Sequence, residues 1–166
     1  MRDLWLGLGF VLALTFGGSV STAAAAEAQN FTLRNINGQQ VSLSQFKGQV
    51  VFISFWATTC APCKVEMVHL QELYNELQAK GFVVLSISTD DARYVAQVKP
   101  FIKKNAYTFP VLLDTESKVI AAFNPNKGLP FALLLDKSGT VVKQYAGYNP
   151  GDEVQVRKDI EGLIGS

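Results

Sequence analysis

The chain has 166 residues, 15 lysines and arginines against 14 acidic residues, and 48% apolar side chains. That is long enough for one domain with its own core and too apolar for a disordered chain. No basic stripe or run of like charge offers itself to nucleic acid or to an anionic membrane surface, so neither is expected as a partner.

Residues 1–26 run from one early arginine through an uncharged apolar stretch beginning at Leu4 to a run of alanines. This is the order of a secretory signal, with cleavage expected after Ala26 and Ala24 at the −3 position. The alternative is an uncleaved anchor, because about 20 apolar residues can span a bilayer. The glycines, Ser19 and Ser21 favour cleavage. On either reading residues 27–166 form one exported domain, expected in the periplasm, where thiols can oxidise.

Phe31 to Leu33 and Val41 to Leu43 flank the turn sequence Asn35-Ile36-Asn37-Gly38 and read as a hairpin. Val50 to Phe55 is β-branched and almost continuously apolar, as a buried central strand must be. A helix is expected from Ala61 to Lys80, stopped by Gly81. Phe82 to Ser88 is a second buried strand. Thr89 to Val98 reads as helix or turn, with Pro100 opening a short helix through Lys104. Phe109 to Leu113 is a third strand and Glu116 to Phe123 a short helix. A loop through Pro130 leads into a strand from Phe131 to Asp136, whose hairpin partner runs from Thr140 to Tyr148. Asp152 is expected to cap a last helix from Glu153 to Leu163. Strands that alternate with helices and then close on a hairpin imply a mixed α/β sheet covered on both faces.

Cys60 and Cys63 are the only cysteines. A bridge across two intervening residues closes a tiny loop, far from the 15-residue loop worth about 3 kcal/mol, so it makes a poor staple. Zinc wants four ligands, and the chain adds only one histidine, His69, to the two thiols. A Cu(I) ion could use two thiolates. Redox chemistry fits better. A strand delivers Cys60 to a helix start, where free amides and the macrodipole stabilise a thiolate, and Cys63 lies one turn away to resolve a mixed disulfide. Pro62 near the start pre-sets the helical φ.

At about 100° per residue the following helix gathers Cys63, Glu66, Met67, Leu70, Leu73, Tyr74 and Leu77 on one face. Glu66 is the polar exception. It is either a buried acid able to exchange a proton with Cys63, or an edge residue with its head in water. His69 falls on the opposite face, as a solvated residue. Pro130, at the start of an apolar strand, is either a cis proline that exposes the Leu129 backbone to an extended peptide or an ordinary loop proline.

"VVFISFWATTCAPCKVEM", with "FPVLLD" and "GLPFALLLDKSGTVVKQYAGY" in phase behind it, resembles the thioredoxin superfamily, and within it the TlpA/ResA-type exported disulfide reductases. The resemblance covers residues 30–164. It implies a thioredoxin-like three-layer fold with an N-terminal β-hairpin extension and a central insertion near Asp91 to Asp114. It implies Cys60 as the attacking cysteine, Cys63 as the resolving one and Glu66 as the acid typical of this branch. Trp56, Pro62, Leu129 and a cis Pro130 would form the surface that meets substrate. Three positions depart from the pattern: Thr59 for a tryptophan, Ser54 for the buried aspartate of cytosolic thioredoxins, and Phe131 for a threonine.

The resulting expectation is a periplasmic thiol–disulfide oxidoreductase, a monomer without cofactor, that reduces disulfides in exported client proteins. In relatives these include apocytochrome c cysteines, with electrons drawn from a membrane thiol donor. Peroxidase chemistry is weaker, because Ile53 and Ala57 stand where P-x-x-x-T-x-x-C requires proline and threonine. A copper carrier of this fold would space its cysteines C-x-x-x-C and place a histidine beside them.

Overall fold

Strand β3 (Val50–Trp56) is buried at all seven positions, and its period-two alternation divides the interior. Val50, Phe52 and Trp56 face one apolar cluster, while Val51, Ile53 and Phe55 face the other. In this computed structural model, which describes residues 27–165, β3 is an inner strand of a seven-stranded sheet, with β4 on one side and β6 on the other. The proposed signal segment lies outside the described residues.

Helix α1 (Ala61–Leu77) crosses from β3 to β4 (Phe82–Ser88), which lies parallel to it with Val50 opposite Phe82 and Trp56 opposite Ser88. Helix α2 (Val95–Lys104) and strand β5 (Val111–Leu113) repeat the crossover, β5 running parallel to β4. Helix α3 (Lys118–Phe123) leads to β6 (Phe131–Leu135), antiparallel to β3, and then to β7 (Val141–Ala146), whose pairing with β6 carries a register shift. The chain begins with β1 (Thr32–Asn35) and β2 (Gln40–Ser42) and ends in α4 (Asp152–Ile164). The strand order is β2-β1-β5-β4-β3-β6-β7.

Residues of α1, α2 and α4 pack in the first cluster, and Ile120 of α3 in the second, so helices cover both faces. Among the described residues no helix is long and apolar enough to cross a membrane.

Most expected elements are present with trimmed ends, and three details differ. The helix over Ala61 to Lys80 is α-helical only to Leu77; a 3-10 turn follows, and Gly81 at φ +86° ends it in the left-handed region that favours glycine. Pro100 does not open a helix but lies inside α2. Both it and Ala96, whose carbonyl it leaves without an amide, are exposed, so water can take the missing bond. The cap of α4 is Gly151 rather than Asp152. The Asp152 carboxylate turns back to accept the Asn149 amide at 2.8 Å and closes the preceding turn instead.

Candidate active site

Three residues past β3 the chain turns. The Cys60 amide donates to the Ala57 carbonyl at 3.0 Å, and Cys60 becomes the N-cap of α1. Its Sγ accepts the Cys63 amide at 3.3 Å, so sulfur occupies the place an oxygen cap would take. Pro62 falls within the first two helical positions, and no acidic side chain stands in the first turn to oppose a negative charge there. The two cysteines are joined as a disulfide, Cα to Cα 5.4 Å. They differ in access. Cys63 is 0% exposed, whereas Cys60 is half-buried between the exposed residues Thr59 and Ala61.

Glu66 lies one turn further along α1, on the same buried face as Cys63. It is 6% exposed, and its carboxylate accepts the Ser54 hydroxyl of β3 at 3.0 Å. Desolvation pushes its pKa up to about 7; the Ser54 hydrogen bond opposes this and the charge of Asp152 adds to it. The edge reading of Glu66 is therefore set aside. Ser54, a departure from the cytosolic pattern, is the group that meets it. A small crevice beside Glu66 is lined by His69, Tyr148 and Glu153. His69 is not a freely solvated residue: its ring stacks on Tyr148 at 6.3 Å, and Glu72 approaches its Nδ1 at 3.3 Å.

The register of β3 against β6 pairs Phe55 with Phe131, which sets Pro130 alongside Trp56 and therefore beside the end of the strand that delivers Cys60. The Leu129–Pro130 bond is cis. Leu129 is half-buried and packs against the cluster that also receives Cys60, while Pro130 is buried.

One expectation is corrected by burial. Trp56 is 0% exposed and packs in a tilted contact at 5.3 Å against Phe101 of α2, so it supports the site from below and cannot touch a client. Phe131, one of the three departures from the pattern, is 6% exposed and packs on Phe55 at 6.0 Å in the core. Pro62 and Thr59 are exposed and remain available. Among the described residues no three histidine, cysteine or acidic side chains are grouped to hold a metal ion.

The sequence of the AhpC/TSA family matches residues 24–127. The chain belongs to the AhpC/TSA family. Similar proteins narrow the chemistry. The thiol-disulfide oxidoreductase ResA of Bacillus subtilis (strain 168) is 33% identical over 157 residues, covering 88% of this chain and 86% of that protein. ResA of Bacillus cereus (strain ZK / E33L) is 33% identical over 138 residues, or 83% of this chain and 75% of that one. A putative thiol:disulfide interchange protein DsbE from Chlorobium tepidum superposes with a TM-score of 0.77 at 27% identity, covering 85% of this chain and 97% of that one. A putative protein disulfide isomerase from Bacteroides thetaiotaomicron gives 0.78 at 26% identity, over 86% and 90%. This AhpC/TSA-family chain thus has the thioredoxin-like fold and is a thiol–disulfide oxidoreductase carrying the Cys60–Cys63 pair.

Sequence reasoning passed over Asp90. Its carboxylate accepts the Thr58 amide with both oxygens, at 3.1 and 2.9 Å. No local pattern marks it: only the parallel register of β3 against β4, continued past their ends, carries Thr58 to Asp90.

Proposed function

We propose that the protein is a reductase of disulfides in exported proteins, working outside the cytoplasm after export on residues 1–26. In the reduced state the Cys60 thiolate attacks one sulfur of a client disulfide. A bond forms between Cys60 and that sulfur, and the other client sulfur leaves as a thiolate that takes a proton from solvent. Glu66, as a carboxylate, takes the Cys63 proton directly or through a water. The Cys63 thiolate then attacks Cys60 Sγ and expels the second client thiolate, which is protonated in turn. Two electrons have passed to the client, and the Cys60–Cys63 disulfide remains for a membrane thiol donor to reduce. Apocytochrome c cysteines are the client class this reading puts first. Leu129 and Pro62, beside the accessible sulfur, are the candidate client contacts, with Pro130 holding Leu129 in place. Among the described residues no hydrogen bond engages the Leu129 amide or carbonyl, which leaves both for a client strand.

The observation that carries this reading is the asymmetry of the pair. One sulfur is accessible at a helix N-cap; the other is sealed in the core above an acid whose pKa lies near 7. The direction of electron flow is tested by the reduction potential of the purified chain. A value near or below about −230 mV is expected, and one near about −120 mV would make the protein an oxidant and overturn the reductase reading. A copper carrier gains no support from His69, which is engaged by Tyr148 and Glu72. The peroxidase reading meets buried apolar side chains at Ile53 and Ala57.

A further inference from the structure

Asp90 is 4% exposed, lies two residues beyond β4 and takes no part in the exchange steps above. Besides the Thr58 amide, it accepts the Thr58 hydroxyl at 2.5 Å and the Ser88 hydroxyl at 2.8 Å. The Asp90 amide in turn donates to Ser88 Oγ at 3.1 Å. Next to it, the Thr89 amide and hydroxyl both donate to the Trp56 carbonyl, at 2.8 and 3.2 Å. Thr58 and Trp56 bracket Ala57, whose carbonyl accepts the Cys60 amide. The segment after β4 therefore grips, at both ends, the turn that presents the accessible sulfur.

A grip of this kind is stiff for a definite reason. A buried carboxyl group that loses its donors pays the full cost of desolvation, so the turn cannot shift without leaving Asp90 oxygens unmet. The parallel register that sets Trp56 opposite Ser88 makes the clamp part of the sheet rather than of a loose loop. We propose that Asp90 is a positioning residue for Cys60. Through Thr58 it fixes the height and orientation of the turn, so that Sγ stands over the Cys63 amide at the start of α1. The inference rests on the reading of Cys60 as the nucleophile.

The test measures the rate at which iodoacetamide alkylates Cys60 in the fully reduced full-length chain, as a function of pH, with the modified site read by mass spectrometry. This readout needs no client. In Asp90→Ala the Cys60 thiolate is expected to lose its alignment and titrate closer to the free value of about 8.5. Alkylation at neutral pH is then expected to fall by about tenfold or more, since small misplacements of a reacting group are costly. Asp90→Asn, whose carbonyl oxygen still accepts the Thr58 amide, is expected to recover most of the rate. Thr58→Val removes only the hydroxyl bond and is expected to fall between. If Asp90→Ala folds with native circular dichroism and gives the wild-type pH profile, or loses only melting temperature, the proposal is overturned. Should Asp90→Ala fail to fold, Thr58→Val decides, and a wild-type profile there overturns it equally. A wild-type chain whose Cys60 reacts no faster than Cys63 would instead remove the nucleophile reading itself.

Discussion

Two carboxyl groups, Glu66 and Asp90, are buried to nearly the same depth, at 6% and 4% exposure. Their surroundings differ. Under α1, Glu66 sits among apolar side chains with the Ser54 hydroxyl as its donor, and desolvation prevails. At the end of β4, Asp90 gathers an amide and two hydroxyls. The number of donors decides what a buried acid can do. With one donor, desolvation dominates at Glu66; with several, Asp90 ties together the backbone on either side of it. On the proposed readings the first region moves a proton and the second holds a sulfur in place.

The largest expected effect silences both regions together. Cys60→Ser is expected to reduce disulfide-reductase turnover to background, while Cys63→Ser keeps its first step and accumulates client-linked mixed disulfides through Cys60. Turnover surviving in Cys60→Ser would mean that neither acid acts on the sulfur assigned to it.

Next comes Glu66→Gln, which keeps the shape and removes the titration. The folded chain holds a proton at Glu66 that the unfolded chain has lost between pH 4.5 and about 7. Glu66 therefore makes stability fall as pH rises through that window, by roughly 3 kcal/mol when complete. Denaturant melts at several pH values should show Glu66→Gln matching the wild type in acid and exceeding it above neutral. The pH–rate profile of turnover should lose its limb near neutrality. Equal pH dependence in the two proteins would place the Glu66 head in water.

A smaller change follows from Ser54→Ala. The lost hydroxyl is the group that favours charged Glu66, so the Glu66 pKa should rise and the neutral limb of the rate profile move to higher pH. Stability should fall by about 1 kcal/mol. An unmoved limb would show that Ser54 serves packing alone.

The smallest effect tests whether the two regions are separate. Glu66 and Asp90 share no hydrogen-bond partner. Their stability changes, combined in a Glu66→Gln/Asp90→Ala double variant, should add within about 0.5 kcal/mol. A larger coupling, measured in the same melts, would join them into one network.

These two acids also mark where the sequence was legible. Glu66 was readable because helical periodicity is local: seven positions of one segment place it on the buried face with Cys63. The buried strands, the left-handed stop at Gly81 and the turn before β2 were readable for the same reason. Asp90 was not, because its partner is 32 residues away and meets it only through the pairing of β3 with β4. The docking of β1 on β5 has likewise no local signature. Trp56 was misread because proximity in sequence to Cys60 says nothing of depth, and alternation along β3 sends its ring inward. At Asp152, a residue type favoured at caps turned its carboxylate to Asn149, and the glycine before it took the cap.

The open sheet has two outer strands, β2 and β7, and every such edge is a template on which another copy could add a strand. Both are poor templates. β2 offers three residues. The pairing of β7 breaks register opposite Leu134 and Leu135, which twists its line of free amides away from a straight partner. Lys143 stands on β7 with its ammonium bound to Asp159 of α4, and Tyr145 binds the same carboxylate. An arriving strand would have to flatten that twist. The margins of the sheet thus resist fibre formation.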